Sequence, residues 1–368
     1  MLHLTLSEFG GGRNTPNALI SAHFNYPAVG CRMFIELFDA RALAPLVSIL
    51  DRNGIRTESL LDRRRIPAEL IEAGGWISKR QAYDFTFDVV QQTRCPHAVF
   101  LAYLDFQLEH LGPIADAIKS CKTVKEGLDV AIQLGSIAYE GSEFRLKIEG
   151  DTTWLSYREP NVVSVGQPFI SDMTLMVYYH LIRTFVDYDW RPKQLRTRGL
   201  LCERHCSLEI FEECQTEFHP NDSALAFPTE FLSRRLPWQG SATNFDATEA
   251  WLFGPEDIEP IADALYRLIA SRFPYRRLPT LDQLALLVGV SPATLKRQLA
   301  SEGTTYSRLL DRIRYDVACD MLSIPKMTIQ EIAQELGYSG TNNFTRSFRR
   351  MTGVTPGQFR RQQFRDEN

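Results

Sequence analysis

Residues 328–360 read TIQEIAQELGYSGTNNFTRSFRRMTGVTPGQFR, and this stretch decides the fold of the C-terminal part of the chain. Thr328, followed three residues later by Glu331, predicts the capped start of a first helix whose apolar residues recur at helical spacing. Gly337 predicts a left-handed turn after that helix, because glycine adopts this backbone conformation at little cost. A second helix is expected over about 340–350. Two short helices joined by a tight turn are typical of a DNA-binding helix-turn-helix.

The second helix of this motif divides into an apolar face and a polar face. Phe344 and Phe348 are four residues apart and are expected to face the core, and Ser339 is expected to cap the start of the helix. Residues 336–365 contain six arginines and no Asp or Glu, whereas a merely solvated helix face usually mixes both signs. We therefore predict that this helix binds DNA through Thr341, Asn342, Thr345, Arg346, Arg349 and Arg350.

A second copy of the same plan lies upstream, where residues 281–301 read LDQLALLVGVSPATLKRQLAS. Gly289 occupies the turn, and Ser291, which is followed by a proline, opens a helix over about 292–301. The amphipathic segment 306–322 is expected to join the two motifs as a linker helix. The outward-facing residues of the upstream motif, which we also predict to bind DNA, are Ala293, Thr294, Lys296 and Arg297.

Two helix-turn-helix motifs in one chain have a geometric consequence. They can read two successive faces of the major groove, about 34 Å or 10 bp apart, so the DNA site is asymmetric and need not be a palindrome. Asn342 is suited to adenine, and Arg297 or Arg346 to guanine, because these pairs match in hydrogen-bonding geometry. The cations expected to position the protein on phosphates are Lys296, Arg349 and Arg350.

The residue types in this region and their spacing carry a family resemblance. The pattern is Ala333-x3-Gly337-Tyr338-Ser339-x4-Phe344-x-Arg346-x-Phe348-Arg349-x3-Gly353-x-Thr355-Pro356-x2-Phe359-Arg360. It resembles the signature of the AraC/XylS-type transcription regulators, and the resemblance covers residues 260–365. The resemblance implies a bacterial, cytoplasmic, homodimeric regulator that works with RNA polymerase, whether as activator or repressor. One position departs from the family, because Gly340 stands where an acidic residue is usual.

The charge of the chain is distributed unevenly between its two parts. The 368 residues carry a net charge of −4. Residues 260–368 contain 16 Lys and Arg against 10 Asp and Glu, a net charge of +6, which leaves −10 for residues 1–259. This asymmetry predicts that only the C-terminal part has an acidic partner, double-stranded DNA.

Length and composition predict two structured domains. We expect a loose tail over 1–35, an α+β regulatory and dimerisation domain over 36–237, and a linker rich in Gly, Pro and Ser over 238–259. The all-α DNA-binding domain then covers 260–368. Within the N-terminal domain, the pattern predicts helices over 78–94 and 169–186, a hairpin around 149–151, and strands near 194–200, 207–211 and 224–227.

The N-terminal domain also carries a resemblance, which is more diffuse. Its points of match are Ile66-Pro67, Leu111-Gly112-Pro113, Lys122-Thr123-Val124-x2-Gly127-Leu128 and Phe227-Pro228-x3-Leu232-x4-Pro237. They resemble the longer α+β regulatory domain of one branch of the family rather than the small cupin barrel of the arabinose regulator. In that branch the resemblance implies control of amino-acid catabolism, virulence or stress genes.

Several other classes of protein find little support in the sequence. No window approaches 18 uncharged apolar residues, so no membrane span or signal peptide is expected. The seven scattered cysteines are typical of free thiols in a reducing cytoplasm. No nucleophile elbow, P-loop or dinucleotide fingerprint is present, and we predict neither enzymatic activity nor a cofactor.

Two groups of residues contain side chains that could support other chemistry. Thiols and imidazoles suit zinc, but the spacing of Cys202, His205, Cys206, Cys214 and His219 fits no common zinc finger, so we predict buried thiols and surface histidines without metal. Cys95-Pro96-His97 is the nearest string to the Pro-Cys-His motif of alkylation-response proteins, which join DNA repair to this kind of DNA-binding domain. The order of its first two residues is reversed, so the repair enzyme remains the weaker alternative.

The signal that the N-terminal domain receives is left open by the sequence. Aromatic and charged residues over 154–190, among them Trp154, Tyr157 and Tyr178, either pack as core or line a pocket for a small-molecule effector, and no ligand-binding residue is assigned. A regulator controlled by a protein partner, with no small-molecule ligand, is the other interpretation.

Overall fold

A computed structural model describes residues 35–161, 164–198, 209–211, 213–219, 222–238, 260–273 and 278–366. The chain divides into two compact units, Met1–Ile258 and Glu259–Asn368, and each is described by itself. Except for Ile35 and Trp238, the expected tail and linker lie outside the described residues. No helix in the described part of the chain is long and apolar enough to cross a membrane.

The N-terminal unit is an α+β structure. Its elements in chain order are β1 (Leu37–Asp39), α1 (Ala44–Arg52), α2 (Thr57–Arg64), α3 (Glu69–Ala73), β2 (Trp76–Ser78), α4 (Lys79–Thr93), α5 (Ala98–Ala102), α6 (Pro113–Lys119), α7 (Val124–Ala138), β3 (Glu143–Glu149), β4 (Thr152–Arg158), α8 (Gln167–Val186), β5 (Gln194–Thr197), β6 (Gln215–Phe218) and β7 (Ser223–Pro228). The predicted helices over 78–94 and 169–186 are therefore present as α4 and α8, and the predicted hairpin is β3–β4.

Local capping signals account for the starts of α4 and α7. Ser78 caps α4 and exchanges hydrogen bonds with Gln81, and Thr123 caps α7 in the same way with Glu126. Helix α8 begins after Gly166, where an added Cβ would collide with the backbone carbonyl of Tyr83. Glycine at this position therefore lets α8 approach α4 closely.

Five strands of the described residues form one open sheet in the order β3-β4-β7-β5-β6. All neighbours are antiparallel except β5 and β6, which run parallel. Leu155 pairs with Leu225 on the face that joins the main core, whereas Trp154 and Ala226 pack on the opposite face. Among the described residues, neither β3 nor β6 pairs with a further strand, so these five strands do not close into a barrel. A separate two-stranded pair joins β1 to β2.

One predicted strand is wrong. The described part of 207–211 is a short 3-10 turn over Glu209–Phe211, not a strand. Phe211 points into the core, with its ring 5.4 Å from that of Phe100 and 6.1 Å from that of Tyr179. An apolar run this short does not distinguish a strand from a buried turn, and burial of one phenylalanine is enough to explain it.

The C-terminal unit is all-α in its described residues. Its helices are α9 (Ile261–Ala270), α10 (Leu281–Leu287), α11 (Pro292–Ser301), α12 (Tyr306–Leu322), α13 (Ile329–Glu335), α14 (Thr341–Thr352) and α15 (Pro356–Asp366). The pairs α10–α11 and α13–α14 are the two helix-turn-helix motifs, and α12 is the linker helix between them.

Candidate nucleic-acid interface and regulatory cavity

The first helix-turn-helix is held by caps at both helix starts. Thr280 and Gln283 form a capping box at α10, and the Ser291 side chain accepts a hydrogen bond from the backbone of Thr294 at α11. Gly289 makes the turn between them with φ 75°. The inward face of α11 buries Leu295 and Leu299, which are four residues apart, and its other face remains open to solvent.

The second helix-turn-helix follows the same plan but begins its second helix differently. Thr328 and Glu331 form the predicted capping box at α13, and Gly337 makes the turn with φ 75°. The predicted cap at Ser339 is wrong, because the N-cap of α14 is Gly340, which offers no side-chain hydrogen bond. The Ser339 hydroxyl instead accepts a hydrogen bond of 2.8 Å from the side chain of Asn343.

Aromatic packing fixes the orientation of α14. Phe344 and Phe348 are 1% and 0% exposed, and their rings lie 5.7 Å apart. Phe359 of α15 packs edge-on against Phe348 at 5.4 Å, and Tyr338 contacts Phe344 at 5.5 Å. Because this face of α14 is buried, the polar residues on its remaining surface must face outward.

The structure places all ten predicted DNA-binding residues on the surfaces of α11 and α14. Seven are exposed: Ala293, Lys296, Arg297, Asn342, Arg346, Arg349 and Arg350. Thr294, Thr341 and Thr345 are half-buried, and the Thr294 hydroxyl is 2.8 Å from that of Ser291. The residues therefore form one exposed polar surface on each second helix.

Most of the cations on these two surfaces are unpaired. Lys296, Arg297, Arg346 and Arg349 have no hydrogen-bonded side-chain partner and no ion pair among the described residues. Arg350 differs, because its guanidinium is 3.4 Å from a carboxylate oxygen of Asp311 on α12. Unpaired cations on an exposed surface repel one another and stay available for an anion, so the two helices are suited to phosphate contact.

The linker helix α12 is anchored to both motifs. It buries Leu309 and Ile313 in its first half and Ala318 and Leu322 in its second half. Helix α9 packs along it, where the Tyr266 hydroxyl donates a hydrogen bond of 2.8 Å to Asp316. The predicted amphipathic character of α12 is therefore confirmed.

One residue at this interface was missed by sequence reasoning. Glu302, directly after α11, accepts hydrogen bonds of 2.9 Å from the backbone nitrogens of both Ile261 and Ala262. A carboxylate there satisfies two unpaired donors at the start of α9 and complements the helix dipole. The two partners are about 40 residues apart in sequence, so no local pattern could have indicated this role.

The N-terminal unit contains a partly open cavity of about 60 Å³ between α1, α6, α7, α8 and the sheet, with the exposed His110 in its wall. Its wall is mainly aliphatic and aromatic, with Phe38, Leu128, Ile132, Phe144, Met173 and Leu181 among the residues that form it. Tyr157 and Tyr178, two of the aromatic residues considered in the sequence, also contribute to the wall. Trp154 does not, because it lies on the other face of the sheet, where the guanidinium of Arg196 stacks on its ring at 4.1 Å.

A buried ion pair lies behind one wall of the cavity. Lys79 is 1% exposed and Glu159 is fully buried, with the ammonium 2.8 Å from the carboxylate. The other carboxylate oxygen of Glu159 accepts hydrogen bonds from the hydroxyls of Tyr83, Tyr157 and Ser142 at 2.6, 2.9 and 3.1 Å. Those three residues line the cavity, so the ion pair fixes the position of part of its wall.

A second ion pair lies at another part of the cavity wall. The Arg41 guanidinium uses Nε and Nη2 to bind both carboxylate oxygens of Asp39, with the shortest contact at 2.6 Å. Burial lowers the pKa of Arg41, but the hydrogen bond and charge of Asp39 outweigh this effect and raise it overall. Gly74 and Gly112, both with positive φ, leave the space that the guanidinium occupies, since a Cβ on either would collide with it.

Of the other residues considered in the sequence, those that the structure describes do not come together as a site. Cys202, His205 and Cys206 lie outside the described residues, and burial raises the pKa of the Cys214 thiol to about 11. The described part of the chain contains no group of three or more His, Cys, Asp or Glu that could hold a metal ion. Cys95 is buried, and burial raises its pKa, so it is not the activated thiolate that a methyl-acceptor site needs.

An α+β unit with a cavity, followed by two helix-turn-helix motifs with exposed cations, defines the class of DNA-binding regulators that carry a sensory domain. Comparison with known families agrees with this class. Residues 284–362 match the helix-turn-helix domain family, and residues 54–236 match the family described as the arabinose-binding domain of the AraC transcription regulator.

Individual proteins are similar over most or part of the chain. The ornithine utilization regulator of Pseudomonas aeruginosa is 33% identical over 332 residues, covering 88% of this chain and 96% of its own. The regulator RipA of Corynebacterium diphtheriae is 39% identical over 94 residues, which cover 25% of this chain and 27% of its own. The crystal structure of the regulator CdpR from Pseudomonas aeruginosa covers 87% of this chain and 98% of its own, at 20% identity and a TM-score of 0.43. The chain belongs to the AraC family of transcription regulators.

Proposed function

We propose that this regulator binds an asymmetric DNA site by inserting α11 and α14 into two successive segments of the major groove. The observation that carries the proposal is the pair of exposed polar surfaces on these helices, each with unpaired cations and each opposite a buried apolar face. Helix α12 has 17 residues and is about 26 Å long, so it is long enough to hold two motifs over neighbouring turns of one duplex.

The chemistry of the exposed side chains suggests their roles. Asn342 can form two hydrogen bonds with adenine, and Arg297 and Arg346 can do so with guanine. Lys296 and Arg349 are free to bind phosphates. Ala293, Thr294, Thr341 and Thr345 are short enough to let the helices approach the base edges.

Arg350 is also assigned to a DNA phosphate, although without DNA its guanidinium forms a weak ion pair with Asp311. Its side chain is 70% exposed and that of Asp311 is 35% exposed, and such surface pairs contribute about 0–1 kcal/mol. A DNA phosphate can therefore compete with Asp311 for the guanidinium. This exchange makes Arg350 a contact that forms when DNA binds.

The N-terminal domain is proposed to sense a small-molecule effector in its cavity and to form the homodimer, and RNA polymerase is the proposed partner at the promoter. Similarity to an ornithine utilization regulator over most of both chains supports amino-acid catabolic genes as the target rather than virulence or stress genes. The domain boundaries are proposed as 36–237 for this domain, 238–259 for the linker and 260–368 for the DNA-binding domain. A regulator of this kind acts on chromosomal DNA in the bacterial cytoplasm.

The test is selection of genomic fragments by the full-length protein at about 150 mM salt, followed by affinity measurements on the enriched site. We expect a shared asymmetric site with two blocks about 10 bp apart. Enrichment by residues 260–368 alone, but not by the full chain, would mean that the N-terminal domain masks DNA binding until a signal arrives. Absence of a shared site with both proteins would refute the proposal.

Two variants separate base reading from phosphate contact. Arg346→Ala should relax the preference at one base pair by about 1–3 kcal/mol. Arg350→Ala should weaken all sequences similarly and reduce the slope of log K against log salt by about 0.9. Lys125→Ala, which removes an exposed cation from the N-terminal unit, is the matched control and should change neither quantity. An unchanged salt slope for Arg350→Ala would contradict its assignment to a phosphate.

A further inference from the structure

We propose that the effector is a carboxylic acid with an apolar body, bound in the cavity of the N-terminal unit with its carboxylate on Arg41 and His110. The proposal rests on the proposed effector-sensing role of this domain and identifies the chemical class that it senses. It follows from the composition of the cavity wall and from the hydrogen-bond donors in that wall that have no partner.

The apolar part of the wall selects the body of the ligand. Leu128 and Ile132 of α7, Phe144 of β3, and Met173 and Leu181 of α8 surround the cavity. None of the described residues that line it is an Asp or Glu, and the carboxylates of Asp39 and Glu159 already hold Arg41 and Lys79. An ammonium group would enter this wall without an acceptor of its own, so a diamino acid such as ornithine is a poor fit.

Arg41 supplies the first donor for a carboxylate. Its side chain lines the cavity and is 22% exposed. Asp39 occupies Nε and Nη2, while Nη1 has no hydrogen-bond partner among the residues that the structure describes. The remaining N–H groups of a guanidinium that is fixed by one carboxylate are oriented before a second carboxylate arrives, which favours binding.

His110 supplies a second donor. Its Nδ1 accepts a hydrogen bond of 3.0 Å from the backbone nitrogen of Gln107, so the proton of the neutral ring is on Nε2. His110 lines the cavity and lies two residues from Gly112, against which the Arg41 guanidinium packs. The two donors therefore belong to the same part of the wall.

Tyr139 completes this donor group. It also lines the cavity, and its hydroxyl has no hydrogen-bond partner in the described part of the chain. Burial raises the pKa of Tyr139, and its charged form would interact with both Asp39 and Arg41, so the hydroxyl lies near this pair and remains protonated. Three donors without an acceptor of their own match a carboxylate, which only accepts hydrogen bonds.

The cavity has a polar neighbour that is suited to entry. A cleft of about 330 Å³ shares Pro45, Phe106 and His110 with the cavity wall. Its other lining residues include Arg52 and Asp105, which form an exposed ion pair at 3.3 Å. An acid that enters through this cleft would insert its apolar body first and leave its carboxylate near His110.

The experiment measures binding to the full-length protein by calorimetry and by thermal shift. The probes are propanoate and butanoate, which are short enough for a cavity of about 60 Å³, each compared with the alcohol and the amine of the same carbon skeleton, together with ornithine. We expect the acids to bind at least about tenfold more tightly than the alcohols, because a hydrogen bond to a charged group is among the stronger ones. Tighter binding of the amines or of ornithine, or no binding of either acid, would overturn the proposal.

Variants test the two halves of the site. Arg41→Gln should weaken the acids about tenfold or more and leave the alcohols unchanged. Gly135→Leu should weaken the binding of acids and alcohols alike, because Gly135 lines the cavity and a leucine side chain there would fill it. An added Cβ would lie 3.8 Å from Phe144, an ordinary van der Waals distance, so the backbone need not move. Arg145→Gln removes an exposed cation of β3 that lines neither the cavity nor the cleft, so it is the matched control for Arg41→Gln and should leave binding within about twofold.

The same samples separate this proposal from the proposed function. Specific DNA binding without binding of any acid would refute the ligand class and leave the regulator intact. Binding of the acids without a specific DNA site would support the cavity assignment and contradict the DNA-reading role. If Arg41→Gln does not fold, Gly135→Leu and the comparison of acids with alcohols and amines still decide the outcome.

Discussion

Lys79→Met is predicted to destabilise the N-terminal unit strongly, because it leaves the Glu159 carboxylate buried without a counter-charge. Lys79 is 1% exposed and Glu159 is fully buried, at a distance of 2.8 Å. Removing one partner of a buried ion pair usually costs about 3–5 kcal/mol. The three hydroxyl donors that remain on Glu159 place the expected loss near the lower end, at about 3 kcal/mol.

For a unit of this size, about 3 kcal/mol corresponds to a decrease of roughly 6–12 °C in Tm. The assay is thermal unfolding of the full-length protein followed by circular dichroism, with urea unfolding as a second measurement. Lys125→Met is the matched control, because Lys125 and Asp129 lie 2.5 Å apart but are 54% and 50% exposed. We expect that variant to lose less than about 1 kcal/mol.

A double variant tests the reasoning further. Glu159→Gln removes the charge that Lys79→Met leaves unpaired, so the combined variant should be more stable than Lys79→Met alone by about 1–2 kcal/mol. The hydroxyls of Tyr83, Tyr157 and Ser142 would still find an acceptor in the amide. Equal effects of Lys79→Met and Lys125→Met, or a double variant with strictly additive losses, would refute the view that burial makes this pair important.

Three further predictions concern single residues. Burial lowers the pKa of His180 from 6.5 to about 4, so the unfolded chain takes up the proton first as the pH falls. The free energy of unfolding should therefore decrease by up to ~3 kcal/mol between about pH 6.5 and about pH 4. The variant His180→Leu should lose this part of the pH dependence in urea unfolding. Gly340→Ser should stabilise the C-terminal unit by about 0.5–1 kcal/mol, because serine supplies the missing N-cap of α14. The backbone at this position is extended and an added Cβ meets nothing within 4 Å, so the side chain fits. A lower urea midpoint for the variant would contradict this prediction. Phe348→Ala should lower the free energy of unfolding by about 3–5 kcal/mol and abolish specific DNA binding, because Phe348 is fully buried between Phe344 and Phe359. Retained binding in a gel-shift assay would contradict the packing argument.

The helix-turn-helix motifs could be predicted because their signals are local. Thr328 and Glu331 are three residues apart, and Gly337 follows the first helix directly. Phe344 and Phe348 lie one helical turn apart and are buried together. The one local signal that misled was Ser339, because a serine next to the helix start competes with Gly340, and the chain uses the glycine as N-cap.

The N-terminal fold could be predicted only in part. Helix α8 is a long apolar run and the β3–β4 hairpin alternates along the chain, whereas β1, β2 and β6 have three or four residues each and carry too little pattern to be recognised. Such short strands exist because a neighbouring strand pairs with them, as β6 pairs with β5. Strand pairing of this kind depends on residues that are distant in sequence.

By itself, the sequence determined the regulator class, the two helix-turn-helix motifs and the surface position of the ten residues predicted to bind DNA, because caps, glycine turns and helical spacing act over a few residues. Only the tertiary structure decided which charges are free and which are paired. Arg350 meets Asp311 across 39 positions, and Lys79 meets Glu159 across 80. The cavity that Arg41 lines likewise depends on residues from separate helices and strands, because enclosed space arises only when distant segments pack together.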